Sequence, residues 1–145
     1  MISSSKKVVL DTNIFIKGWF GEDEVCQKIM NLIDKRKMYL SFGQDTIGEL
    51  IYLTKNFARR FIVDRNNQVG IVQDVAKLFY YASSVNTLDT ISEKTKDEFD
   101  DMFMKCATEG KVDYLVTDDF KSGMHDIESL PFTVLSSREF MKLYE

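Results

Sequence analysis

The chain is predicted to fold as a three-layer α/β/α structure around a central parallel sheet. Short apolar, β-branched runs alternate with amphipathic helical stretches along its whole length, the pattern of a parallel sheet with helices on both faces. Its 145 residues, 44% hydrophobic and 29% charged, suit one domain with one core. A single proline and no Gly/Ser tract leave no visible linker, so one domain over residues 1–145 is expected.

The elements follow in order. Val8-Val9-Leu10 is a buried strand ending at Asp11. Residues 23–35 are helical, with Val25, Ile29, Leu32 and Ile33 at helical spacing and Glu22-Asp23-Glu24 at the start. Met38-Tyr39-Leu40-Ser41-Phe42 is a second strand, and residues 44–56 form a helix with Ile47, Leu50, Ile51 and Thr54 on one side. Asn66-Asn67 marks a loop before a helix over 69–81, and residues 85–88 suggest a short strand. A helix over 99–109 places Phe99, Met102, Phe103, Cys106 and Ala107 on a core-facing stripe and closes at Gly110, a common residue just past a helix end. Tyr114-Leu115-Val116-Thr117 is a strand leading into Asp118-Asp119. Phe132-Thr133-Val134-Leu135 is the last strand, and Ser136-Ser137-Arg138-Glu139 carries the capping-box pattern of a terminal helix.

Several function classes are disfavoured. No run approaches the ~18 apolar residues of a membrane span, and residues 1–7 hold no signal-peptide core, so a cytoplasmic protein is expected. Cys26 and Cys106, both in helical segments, are expected as reduced thiols rather than a disulfide. The net charge of −4 argues against binding nucleic acid by bulk electrostatics alone. An acidic protein can still hold a phosphate through metal ions, which supply the local positive charge.

In an open parallel sheet, ligands bind in the crevice beyond the carboxyl ends of the strands. Two strands end in acids there, at Asp11 and at Asp118-Asp119. If those strands are neighbours, their carboxylates converge and need a cation or shared protons, and an oxygen-rich cluster suits Mg²⁺ or Mn²⁺. On the 99–109 helix, Asp100 shares a face with Phe103 and Ala107 at the core margin, whereas Asp101 points towards solvent. A first-turn acid near the positive end of the helix dipole is well placed to ligate an ion. Glu49 lies off the apolar stripe of its helix, and periodicity alone reads it as a solvated surface acid.

Taken together, Val8-Val9-Leu10-Asp11-Thr12-Asn13, Ile47-Gly48-Glu49-Leu50, the segment from Asp100 to Ala107, Asp113-Tyr114-Leu115-Val116-Thr117-Asp118-Asp119 and Ser137-Arg138-Glu139-Phe140 resemble the PIN domain family. The likeness is to its compact microbial members, the VapC-type toxins of toxin–antitoxin pairs. It implies four metal-binding catalytic acids, carried here by Asp11, Glu49, Asp100 and Asp119, with Thr12, Asn13 and Thr117 as polar supports. Asp118 departs from the family's usual glycine before the last acid, which leaves Asp118 and Asp119 open as ligands. The resemblance implies an endoribonuclease in which one or two Mg²⁺ or Mn²⁺ ions activate water and stabilise the leaving 3′-oxygen. It also implies an RNA substrate, an antitoxin covering the cleft and a homodimer. Such chemistry needs no histidine base, which suits a chain whose sole histidine is His125.

Lys55, Arg59, Arg60 and Arg65 form a candidate RNA-gripping cluster, interleaved with Phe57 and Phe61. Lys35-Arg36-Lys37 is a second, and solvated surface charge is the plainer account of both. A haloacid-dehalogenase-type phosphotransferase would need an acid where Asn13 stands. A receiver-like domain would need a lysine where Ser136-Ser137 follow the last strand. The remaining alternative is a catalytically silent PIN-like module binding RNA or a protein partner, against which the intact carboxylates speak.

Overall fold

A computed structural model describes residues 5–145. Of the amino-terminal stretch read as lacking a signal-peptide core, residues 1–4 lie outside the described residues. Five strands, β1 (Lys6–Leu10), β2 (Met38–Gly43), β3 (Ser83–Val85), β4 (Tyr114–Val116) and β5 (Thr133–Leu135), form an all-parallel sheet in the order β3-β2-β1-β4-β5. The helices are α1 (Thr12–Phe20), α2 (Glu24–Asp34), α3 (Gln44–Phe61), α4 (Arg65–Tyr81), α5 (Asp101–Glu109) and α6 (Ser137–Lys142). No described helix is long and apolar enough to cross a membrane.

Strand alternation builds two cores. Val8, Leu10, Leu40, Phe42 and Val116 face one side, where they pack with Ile14 and Phe15 of α1, Ile29 of α2, Leu50 of α3, Val75 of α4 and Phe140 of α6. Val9 and Leu115 face the other, against Phe103, Met104, Cys106 and Ala107 of α5, with Met124 and Phe132. Strands buried on both faces carry continuous apolar runs, which is why β1 and β4 are legible without alternation. Cys26 and Cys106 are free and buried.

The topology also fixes where a site can form. From β1 the chain winds outward through β2 to the β3 edge, then returns to pair β4 on the other side of β1. The winding direction therefore reverses between β1 and β4, the place where open α/β sheets hold their ligands.

Several local expectations are corrected. Hydrophobic periodicity predicts no helix directly after Asp11, yet α1 begins at Thr12 with Asp11 as its cap, accepting the Asn13 N–H at 3.3 Å. Ile14, Phe15 and Ile16 are consecutive and all buried, so α1 shows little of the polar and apolar alternation that marks a surface helix. Helix α3 continues past Asn56 to Phe61, since Ala58 is also buried. Asn66-Asn67 is not a loop but the first turn of α4, capped by Asp64, which accepts the Asn66 N–H at 2.8 Å. Strand β3 starts and ends earlier than expected, and Leu88 is exposed. Phe99 is exposed and precedes α5, so it contributes nothing to the core stripe. Helix α5 ends at Glu109 with Gly110 closing it, as the sequence predicts, and the left-handed residue is the next one, Lys111, at φ 49. Glycine is needed at 110 for space, because a Cβ there would lie 2.7 Å from Ser41 Oγ. The capping box of α6 forms as read: Ser136 Oγ accepts the Glu139 N–H at 3.2 Å, and Glu139 Oε1 accepts the Ser136 N–H at 3.0 Å.

A candidate metal centre at the strand ends

The site grows from the pairing of β1 with β4, in which Leu10 and Val116 are register partners. Beyond them the Asp11 N–H donates to the Val116 carbonyl at 2.9 Å, so the two strands end side by side. The Thr117 hydroxyl, fully buried, donates to Asp11 Oδ2 at 2.8 Å and accepts the Asp119 N–H at 3.1 Å. One side chain thus positions an acid on its own strand end and the acid on the next.

Asp11 is 5% exposed, and burial pushes its carboxyl above the usual range. Hydrogen bonds from Thr117 and the Asn13 amide oppose that shift, and the charge of Asp119 adds to it. Asp100 sits immediately before α5, and its carboxyl is pushed up to about 7. Burial is the largest cause, followed by the charges of Asp11 and Asp119, and Asp119 is near enough to share its proton. Glu49 comes to the same place because α3 starts directly at the carboxyl end of β2, with Gly43 as its cap. Burial raises the Glu49 carboxyl, the nearby Thr12 hydroxyl offsets part of this, and Asp11 raises it further. Mutual influence therefore links all four predicted acids: Asp11 to Glu49, Asp100 and Asp119.

The neighbouring acids do other work. Asp118 is committed to α6: its Oδ1 accepts the Ser137 N–H at 2.8 Å and its Oδ2 the Ser137 hydroxyl at 2.7 Å. Lys17 Nζ stands 3.8 Å from Asp118 Oδ2. Asp101, read as solvent-facing, is half-buried and accepts the Thr95 N–H at 2.6 Å, tying the preceding loop to α5. Nothing in helical periodicity signals that contact, since Thr95 lies outside the helix.

The donor set suits a hard divalent cation. It consists of carboxylate oxygens, which Mg²⁺ and Mn²⁺ prefer, and the proton affinities of Asp11, Glu49 and Asp100 are raised by burial first and then by a neighbouring acid. Among the described residues no three His, Cys, Asp or Glu side chains are already gathered at the spacing of a finished metal cage. The acids are close enough to perturb one another and still held apart, an arrangement that repulsion favours and a cation would tighten.

The other predicted residues are placed as follows. Thr12 is buried beside Glu49, and Asn13 is exposed, touching Asp11 through its backbone. Lys55, Arg59 and Arg60 are exposed along the second half of α3, and Arg65 is exposed at the start of α4. At the helical rise, Arg59 is about 15 Å along α3 from Glu49. Phe57 and Phe61 stack on each other at 5.7 Å and meet Phe20 of α1, so they tie α3 to α1 as well as bordering the cluster. Lys35-Arg36-Lys37 lies at the opposite, amino-terminal edge of the sheet, just before β2, with the Arg36 guanidinium 4.3 Å over the Tyr81 ring. It is remote from the acids. His125 is not a free base: its Nε2 lies 2.8 Å from the Thr117 carbonyl and its ring stacks on Phe120. That pair is the feature sequence reasoning missed; an aromatic directly after the last acid was its only signal.

The fold resembles that of a chain from the crystal structure of VapBC2 from Rickettsia felis bound to a DNA fragment from their promoter. The TM-score is 0.55 over 90% of this chain and 98% of that one, at 13% identity, a likeness of fold alone. No curated protein matches the sequence. The model of the PIN domain family matches residues 7–121, a span that runs from β1 through Glu49 and α5 to just beyond Asp119. By that match the chain belongs to the PIN domain family.

Proposed function

We propose that the chain is a metal-dependent endoribonuclease that hydrolyses RNA phosphodiester bonds, with Asp11, Glu49, Asp100 and Asp119 holding Mg²⁺ or Mn²⁺. The observation that carries this reading is the raised proton affinity of Asp11, Glu49 and Asp100 at the β1/β4 switch point, each shifted in part by a neighbouring acid. A cluster that destabilises its own ionised form is costly unless a ligand uses it. Bound there, the metal would supply an activated water and charge stabilisation at the phosphate. The chain's own residues orient that centre. Thr117 fixes Asp11 and the Asp119 backbone, Thr12 supports Glu49, and the Asn13 amide holds Asp11 Oδ1. Asp118 holds α6 in place beside them.

Lys55, Arg59, Arg60 and Arg65 are offered as contacts for RNA running away from the cleft. The family resemblance, with the likeness of fold to the VapBC2 chain, supports a protein antitoxin as partner, and a cytoplasmic homodimer completes the reading.

Incubating purified protein with a mixed RNA pool tests it, with Mg²⁺, with Mn²⁺ and with EDTA, beside Asp11→Asn. Metal-dependent cleavage absent from the variant is expected. A folded protein that cleaves nothing under any condition, yet binds RNA, would move the assignment to a silent binding module.

A further inference from the structure

We propose that Phe120, backed by His125, is a stacking platform for the nucleobase next to the phosphate held at the acid cluster. The inference rests on the nuclease reading and names the part of the substrate that this edge of the site takes.

Phe120 follows Asp119 directly and is 60% exposed. A lone exposed aromatic is ordinary; this one is held in a fixed orientation. Its ring lies nearly parallel to that of His125, with centroids 4.3 Å apart and planes 21° from each other. His125 is fixed in turn, its Nε2 2.8 Å from the Thr117 carbonyl, and with Nε2–H donating it takes the Nε2 tautomer.

The turn between them is built for this return. Asp119 Oδ1 accepts the N–H groups of Lys121 and Ser122 at 2.9 and 3.1 Å. Gly123 adopts φ 86, a conformation open to glycine, and the Asp126 N–H closes on its carbonyl at 3.0 Å. One face of the Phe120 ring is therefore covered by imidazole, while most of the ring stays open to solvent.

Thr117 connects this platform to the acids. Its hydroxyl holds Asp11 and its carbonyl holds His125, so the ring and the first carboxylate are referenced to one residue. A pre-oriented ring loses little freedom on binding, and stacking accepts any base, because every base presents a π-face. An acidic surface repels bare anionic ligands, so a ring beside it suits a ligand that brings an aromatic group along with its phosphate. Single-stranded RNA does.

The test is anisotropy binding of short fluorescent single-stranded RNAs in an Asp11→Asn background, which stops turnover. Against Phe120, the variants are Phe120→Ala, Phe120→Leu and Phe120→Trp. Loss of one base–aromatic stack predicts roughly ten- to a hundredfold weaker binding for Ala and Leu, with Trp retaining affinity. An abasic nucleotide is then moved along the RNA. At one position it should weaken binding to the Phe120 protein as much as Phe120→Ala does, and the two losses should not add.

The proposal is overturned if the losses add at every position, if Phe120→Leu binds as tightly as Phe120, or if Phe120→Ala alters self-association and leaves RNA binding intact. The abasic scan leaves Phe120 in place, so it decides the matter even if Phe120→Ala folds poorly. Coupling without cleavage by the wild-type protein would keep the platform and sink the nuclease reading; cleavage without coupling would do the reverse.

Discussion

The two ends of the sheet treat charge in opposite ways. At the carboxyl ends of β1 and β4, Asp11 is buried near Glu49, Asp100 and Asp119, and burial together with a neighbouring acid raises the proton affinity of Asp11, Glu49 and Asp100. At the amino ends, polar groups are answered nearby: the Lys7 N–H donates to Asp113 Oδ2 at 2.9 Å, and Arg36 lies on Tyr81. Even Lys17, the cation in the ion pair found among the described residues, pairs with Asp118 rather than with the four clustered acids. The amino end is arranged for stability, whereas the carboxyl end accepts a stability cost that a ligand would offset.

The comparison can be broken most sharply at adjacent acids. Asp119→Asn should lower RNA cleavage by at least about a hundredfold, since a metal clamp is worth several kcal/mol and about 1.4 kcal/mol is tenfold in rate. Its thermal midpoint without metal should hold or rise. Cleavage assays paired with melting curves decide it; unchanged cleavage would remove Asp119 from the centre.

Thr117→Val removes both the donor to Asp11 and the acceptor for the Asp119 N–H. About a 10- to 100-fold loss in metal affinity or activity is expected, with roughly 1–3 kcal/mol of stability. Metal titration beside urea unfolding separates the two effects.

Asp100 gives the pH test. Its folded carboxyl titrates at about 7 against an ordinary 3.8, so between those values the folded state binds more protons than the unfolded one. Its contribution to stability is therefore full below the unfolded pKa and lost as pH rises through about 7. Metal-free protein should be easier to unfold with urea near neutral pH than in mild acid, and Asp100→Asn should flatten that slope. A slope unchanged by the substitution would show that other groups set it.

Smaller effects should come from the residues that only hold structure. Asp118→Ala frees the start of α6 and should cost about 1 kcal/mol, with cleavage within a few-fold of wild type. Arg36 sits at φ 55, a left-handed conformation that favours glycine, so Arg36→Gly relieves strain while losing the Tyr81 contact. A net change within about 1 kcal/mol and no effect on cleavage is expected at this end. A large loss of cleavage from Arg36→Gly would mean the amino end takes part in the reaction.

Much of the fold was legible because its signals are local. Apolar runs mark β1 and β4, the Ser136/Glu139 capping box marks α6, and acids directly after two strands mark the ends where a site forms. The parts missed are those whose determinants lie elsewhere in the chain. Helix α1 is apolar on too many sides to show a face, and the close approach that keeps residue 110 a glycine comes from Ser41, in β2. Glu49 could not be separated from a surface acid by periodicity, and only the family resemblance singled it out; the structure puts it near Thr12 and Asp11 because β2 runs beside β1.

From the sequence alone came the parallel α/β class and the acids at the ends of β1 and β4. Each depends on period, propensity or the residue next in line. Tertiary structure decided which acids meet, that Asp118 caps the neighbourhood of α6 while Asp119 turns to the cluster, and that His125 returns to back Phe120. Those outcomes depend on strand order and loop closure, which bring together residues that no local pattern relates.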